Sequence, residues 1–182
     1  MRTLGTVVNT NSNVRLIVGE KDTSPEVTFA PIYEGEICHR SMALVLAEAV
    51  KSIFPTVKLV AGGWNDEEFW YDFDFLTRPK PQDISRIESE IAEILHADLP
   101  FARHSLTKQR AIRMMDNFGE TYKVLAASDA QGAKVALYSV GDFWDLTEGP
   151  MVPSTGYLAA MPLNMYTTRQ NGKVIVRIVG QK

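Results

Sequence analysis

A chain of 182 residues suffices for one sizeable hydrophobic core and falls short of two ordinary domains. With 45% hydrophobic and 23% charged residues it is neither disordered nor fibrous, and a formal net charge of −3 excludes a chain-wide field that would attract polyanions. A single cysteine, Cys38, forms no internal disulfide, MRTLGTVVNTNSN has no signal-peptide stretch, and no apolar run reaches the roughly 18 to 20 residues of a membrane span, so a cytoplasmic chain without membrane attachment is expected.

Val7 and Val8, residues 14–18 and residues 27–32 are β-rich runs separated by NTNSN and GEKDTSP, which are turn chemistry. Residues 1–35 therefore read as a β-rich extension and residues 36–182 as the main domain. Met42, Val45, Leu46, Ala49, Val50 and Ile53 recur at spacings of three and four and predict a helix closed by Pro55. Residues 58–75, KLVAGGWNDEEFWYDFDF, predict two strands joined around the Gly-Gly and acidic segment. After Pro79 and Pro81, Ile84, Ile87, Ile91 and Ile94 predict a second helix, with Asp83 favouring its positive end.

A third helix is expected after Ser105 as N-cap, with Leu106, Ile112 and Met115 inward and Gly119 as its stop. Residues 121–127 and 134–140 flank SDAQGA as a predicted hairpin, and 157–163 and 173–179 bracket a turn at QNGK. Residues 141–156, GDFWDLTEGPMVPSTG, hold too much Gly and Pro for a regular element and too many aromatics for a linker, so an ordered loop is expected. The result is an α+β fold, an antiparallel sheet with helices packed on one side. No internal repeat points to a solenoid or propeller.

Neighbours on a helix point about 100° apart, so Cys38 and His39 do not face each other as nucleophile and base. Cys38, His39, His96 and His104 lack a chelating helical spacing, and no metal or other cofactor is expected. His96 and His104 read instead as helix-end residues. No GxxxxGK or GxGxxG precedes a helix. Among Asp66, Glu67, Glu68, Asp72 and Asp74, the last two share a strand face, and the group reads as a solvated acidic hairpin. Basic residues gather from Arg103 to Arg113 and at Arg169, Lys173, Arg177 and Lys182, as phosphate contacts or as an ordinary charged face.

Three segments carry a resemblance: GGWNDEEFWYDFDF, NFGETYKV and DFWDLTEGPMVPSTG, in order after a helix ending KSIFP and before a final RIVG. Together they resemble the editing domain of bacterial threonyl-tRNA synthetase, which is shared with alanyl-tRNA synthetase and free-standing editing proteins. The resemblance runs from Glu36 to Gln181 and implies a cleft between the first helix and the sheet, where serine mischarged onto threonine tRNA is hydrolysed. The family's HxxxH and CxxxH pairs would form a zinc site or an acid/base cluster. This sequence departs from them at all four positions. In the register fixed by KSIFP the two histidines become Arg40 and Leu44, and in that fixed by GPMVPSTG the cysteine and histidine become Thr147 and Met151.

Leu44 and Met151 imply an apolar pocket that neither ligates metal nor transfers protons. Arg40 is no base, yet its guanidinium can hold a carboxylate or phosphate through paired hydrogen bonds. Tyr71, Lys123 and Asp145 keep the family's residues, which implies Lys123 near the tRNA end or carbonyl oxygen and Asp145 orienting it or a water. Alternatively Lys123 and Asp145 pair with each other, and Tyr71 is a core residue.

The expectation is a free-standing, catalytically degenerate editing-domain-like protein that binds an aminoacyl-tRNA 3′ end or a small amino-acid-like molecule, with Arg40 and Lys123 as anionic anchors. The synthetase's class II domain is not expected here, and without its ATP site neither is aminoacylation. One alternative is a metal-independent deacylase using Lys123 for charge stabilisation and Asp145 as orienter. Another is an assembly protein, homodimeric through the N-terminal strands with Trp64, Trp70 and Trp144 at the interface.

Overall fold

The computed structural model describes residues 14–18, 27–31, 35–170 and 172–181. The chain divides into two compact units, Met1–Tyr33 and Glu34–Lys182. In the first, β1 (Val14–Val18) and β2 (Val27–Pro31) form an antiparallel pair, Val14 opposite Pro31 and Val18 opposite Val27. The strand expected at Val7 and Val8 lies outside the described residues, as does Ile32.

The second unit begins with α1 (Glu36–Ile53), which stops before Pro55, where the ring disfavours helical backbone in the preceding residue. Every residue from Ser41 to Ala47 is buried, so α1 is a central helix covered on all sides. The hairpin follows as β3 (Lys58–Trp64) and β4 (Glu68–Asp74). Its turn is Asn65, Asp66 and Glu67, held by the Asn65 side-chain oxygen, which accepts from Glu67 N at 2.8 Å and Glu68 N at 2.9 Å. Gly62 and Gly63 lie inside β3, opposite Tyr71 and Trp70, and not in the turn. A Cβ on Gly63 would come within 2.3 Å of the Trp70 ring, so the glycine lets that indole lie across the strand.

The isoleucine repeat forms α2 (Asp83–His96), which buries Ile87, Ile91 and Ile94. Three corrections follow. Residues 101–107 are a strand, β5 (Phe101–Thr107), so the cap of α3 (Lys108–Asn117) is Thr107 and not Ser105. Ser105 and Leu106 are held by pairing with Ala136 and Val135 of β6 (Lys134–Val140). Residues 121–127 are not the hairpin partner of β6 but part of a helix, α4 (Thr121–Asp129). Gly119, at φ +72°, stops α3, and α4 turns Lys123 and Ala127, four residues apart, inward. Tertiary burial of that face outweighs the β preference of Tyr122 and Val124.

Third, the strand expected at 157–163 begins only at Leu163. Thr155–Tyr157 is a 3-10 turn, and the ladder runs through β8 (Leu163–Gln170) and β9 (Lys173–Gln181) after Pro162, which has no N–H to pair. Within residues 141–156 a three-residue strand, β7 (Phe143–Asp145), adds to β6.

The second unit is α+β with antiparallel sheets, ordered β3-β4-β9-β8 and β5-β6-β7. Alternation along β4 sends Phe69, Tyr71 and Phe73 into the main core with α1, α2, Val176 and Ile178. Along β6, Val135 and Leu137 meet Ala111, Met115 and Ala127, while Tyr138 and Val140 meet Leu44 of α1. The three-stranded sheet therefore has helices on both faces. Among the described residues no helix is long and apolar enough to cross a membrane.

Candidate functional site

Tyr71 from β4, Lys123 from α4 and Asp145 from β7 converge between the two sheets. Tyr71 Oη donates to Asp145 Oδ2 at 2.6 Å, Lys123 Nζ lies 2.8 Å from Asp145 Oδ1 and 3.1 Å from Oδ2, and Leu146 N donates to Oδ1 at 2.7 Å. Asp145 is 1% and Lys123 4% exposed, so the pair is closed on itself in a dry setting. Burial, followed by the charge and hydrogen bond of Asp145, pushes the Tyr71 hydroxyl well above its ordinary range, which fixes it as a donor.

A second buried carboxylate, Glu120, fastens the turn between α3 and α4. It accepts from Leu59 N at 2.8 Å and pairs with Lys51, while Lys58 Nζ donates to Gly119 O at 2.7 Å. Sequence reasoning assigned Glu120 no role. Its signal was faint: one acid beside a helix-stopping glycine, with two lysines on elements far along the chain.

Arg40 leans over the Trp64 ring, 4.6 Å from its centroid. Its Nη1 donates to Pro150 O at 3.1 Å, Nη2 lies 3.6 Å from Glu36, and Nε is buried with no partner. Leu44 is buried against Tyr138 and Val140, and Met151 packs on the same cluster. Ser41 Oγ donates to Ile37 O at 2.8 Å, lies 3.6 Å from Met151 Sδ and accepts from Val152 N at 3.0 Å. Thr147 faces elsewhere: with Arg103, Lys134 and Glu148 it lines a cleft of about 710 Å³. Arg40, Leu44 and Met151 thus share the junction of α1 with the 146–152 loop, while Thr147 opens onto the cleft. Among the described residues no group of three His, Cys, Asp or Glu could hold a metal.

Other expectations need revision. Asp72 is no solvated residue: it is buried and accepts from Arg177 Nε at 2.7 Å, Arg177 Nη2 at 2.9 Å and Gln170 Nε2 at 3.1 Å. Asp74, on the same strand face, accepts from Tyr122 Oη at 2.7 Å. His104 lies in β5 and not at a helix end, with Nε2 3.0 Å from Ser139 Oγ and its ring centroid 4.1 Å from that of Trp144, the planes tilted by 35°. His39 Nδ1 donates to Asn65 O at 2.6 Å.

Over 151 residues, 80% of its length, the chain is 37% identical to the threonine–tRNA ligase of Carboxydothermus hydrogenoformans. It is 39% identical over 142 residues to that of Nitratidesulfovibrio vulgaris (strain DSM 19637 / Miyazaki F) and 41% identical over 128 residues to that of Geobacter sp. (strain M21), or 78% and 70% of this chain. The chain is a relative of one segment of threonine–tRNA ligase, editing-domain-like in fold. The matched segments span 24%, 22% and 20% of those three ligases. No protein-family model matches the chain. Of the four positions at which this sequence departs from the HxxxH and CxxxH pairs, Arg40 and Leu44 stand in the first half of α1 with Met151 beside them, Thr147 stands at the cleft, and the Tyr71, Lys123 and Asp145 cluster lies within the same fold unit.

Proposed function

We propose that this editing-domain-like protein is a catalytically degenerate cytoplasmic binder, which holds the aminoacylated 3′ end of a tRNA, or a small amino-acid-like molecule, without hydrolysing it. What supports this is the set of side chains at the four positions of the family's reactive pairs: Arg40, Leu44, Thr147 and Met151. Proton transfer needs a titratable group within hydrogen-bond reach, and Leu44 and Met151 form an apolar cluster where two such groups would stand. Lys123 and Asp145 neutralise one another below the surface. Arg40 remains always charged, and its guanidinium, steadied by Trp64 and Pro150 O, suits a carboxylate or phosphate.

A gel-shift titration with doubly labelled aminoacyl-tRNAs, cognate and mischarged threonine and alanine species, reads complex formation and loss of the amino acid together. Complex formation that depends on the amino acid, weakened by Arg40→Ala, with deacylation no faster than the spontaneous rate, is expected. Hydrolysis above that rate would return the metal-independent deacylase, with Lys123 and Asp145 in its site. Absence of any complex would remove tRNA as the ligand.

A further inference from the structure

We infer that the cleft between α4, the start of β6 and the 146–149 loop holds a backbone phosphodiester of the RNA strand behind its aminoacylated end, with Arg103 and Lys134 as its ligands. This rests on the proposed tRNA-binding reading and places part of that ligand at a second position.

The cleft volume, about 710 Å³, is within the range of formed ligand sites. Its lining includes Ala126, Ala130 and Ala136, whose small side chains leave room between helix and strand. Arg103 stands on β5 and Lys134 at the first position of β6, so two cations from neighbouring strands border one opening. Both are exposed. No side-chain hydrogen bond or ion pair holds either among the described residues, whereas Lys51, Lys123, Lys173 and Arg177 are all paired with carboxylates.

The charge of the lining narrows the occupant. Arg103 and Lys134 against Glu148 leave one net positive charge, which matches the single negative charge of a phosphodiester better than the near-dianion of free phosphate or a terminal nucleotide phosphate. The alanines of the lining are suited to the face of a base or ribose. Thr147 of the cleft and Pro150, which Arg40 grips, belong to one loop, so a strand running along it could place its phosphate at Arg103 and Lys134 and its acylated end at Arg40.

The test is fluorescence anisotropy of a labelled RNA hairpin ending in single-stranded CCA, titrated at several salt concentrations. Each phosphate contact on a single strand contributes about 0.7 to the slope of log affinity against log salt. The double variant Arg103→Gln, Lys134→Gln removes the one phosphate contact and should therefore lower the slope by about 0.7 and weaken binding on the order of tenfold at low salt. The control Arg110→Gln, Arg113→Gln removes equal charge from exposed positions of α3 and should change the slope by less than half as much. An unchanged slope in the cleft variant, or an equal loss in the control, overturns the assignment. So does competition by AMP or inorganic phosphate at concentrations comparable to the hairpin's own affinity, which would give the site to a free phosphate compound. The hairpin is measured with and without an attached amino acid: if acylation leaves affinity unchanged while the cleft variant still weakens both forms, the proposed function fails and the cleft assignment stands.

Discussion

Replacing Glu48 with glutamine should stabilise the protein at pH 8 and leave it nearly unchanged near pH 4.5. Glu48 is on α1, with Oε2 buried and unpartnered. Burial first, and then the charges of Glu90 and Asp142, push its carboxyl up from 4.5 to about 7. The folded state therefore binds this proton more tightly than the unfolded chain. The associated stability is fully present below the unfolded value and is lost as pH rises toward and through the folded one. Taken in full, the displacement would amount to about 3 kcal/mol. The side chain retains contact with water, and screening reduces this to about 1–2 kcal/mol, or a few degrees in Tm. Glutamine mimics the protonated form, so the difference in unfolding free energy between variant and parent isolates the one group. Urea unfolding followed by far-UV circular dichroism at half-unit steps from pH 4.5 to 8.5 should give a difference that grows with pH and levels off above about 8. A difference that is flat in pH would refute the reasoning, because it would place Glu48 in an environment that does not distinguish its protonation states.

Two further outcomes concern the site. Lys123→Met leaves Asp145 buried with an uncompensated charge and should cost about 3–5 kcal/mol in chemical denaturation; combining it with Asp145→Leu should recover part of that loss, and a cost below about 1 kcal/mol would show that the pair is not isolated from water. Gly149→Ala would set a Cβ 1.7 Å from Tyr138 Oη and 2.4 Å from Cζ, so a loss of about 1–3 kcal/mol is expected, reduced when Tyr138→Leu is added. Unaltered thermal unfolding of Gly149→Ala would mean that the loop does not rest on the Tyr138 ring.

Where apolar residues repeat with a clear period, as in α1, α2 and β4, local pattern and tertiary burial agree, and the elements were legible. They diverge at α4. Tyr122 and Val124 favour a strand locally, but β6 takes its partner from β5, and that long-range choice has no local trace. Asp72 misled for a similar reason: its alternation with Asp74 looks solvated until Arg177, 105 residues on, is brought beside it. The central cluster was named only through motif resemblance. Tyr71 and Asp145 are 74 residues apart, and no spacing rule joins them. Glu120 and Ser41 escaped altogether, because the backbone groups they satisfy, Leu59 N and Val152 N, are brought beside them only when the chain has folded.

The fastening of the loop after Asp145 bears on how tightly anything can be held there. Thr155 Oγ1 donates to Ile94 O at 2.8 Å and accepts from Leu99 N at 2.9 Å, and Thr155 N returns a bond to Leu99 O at 2.9 Å. Asp98 accepts from Gly156 N at 3.1 Å and from the Ser154 hydroxyl, and Phe101 N donates to Pro153 O at 3.0 Å. With Ser41 and Arg40 gripping Val152 and Pro150, the segment is held at successive points along its length. Ordering a free segment on association would cost about 1–2 kcal/mol per residue in conformational entropy. Here folding itself meets that cost, so the loop is a preorganised wall, and an arriving ligand keeps the free energy of its contacts instead of losing it to immobilising the chain.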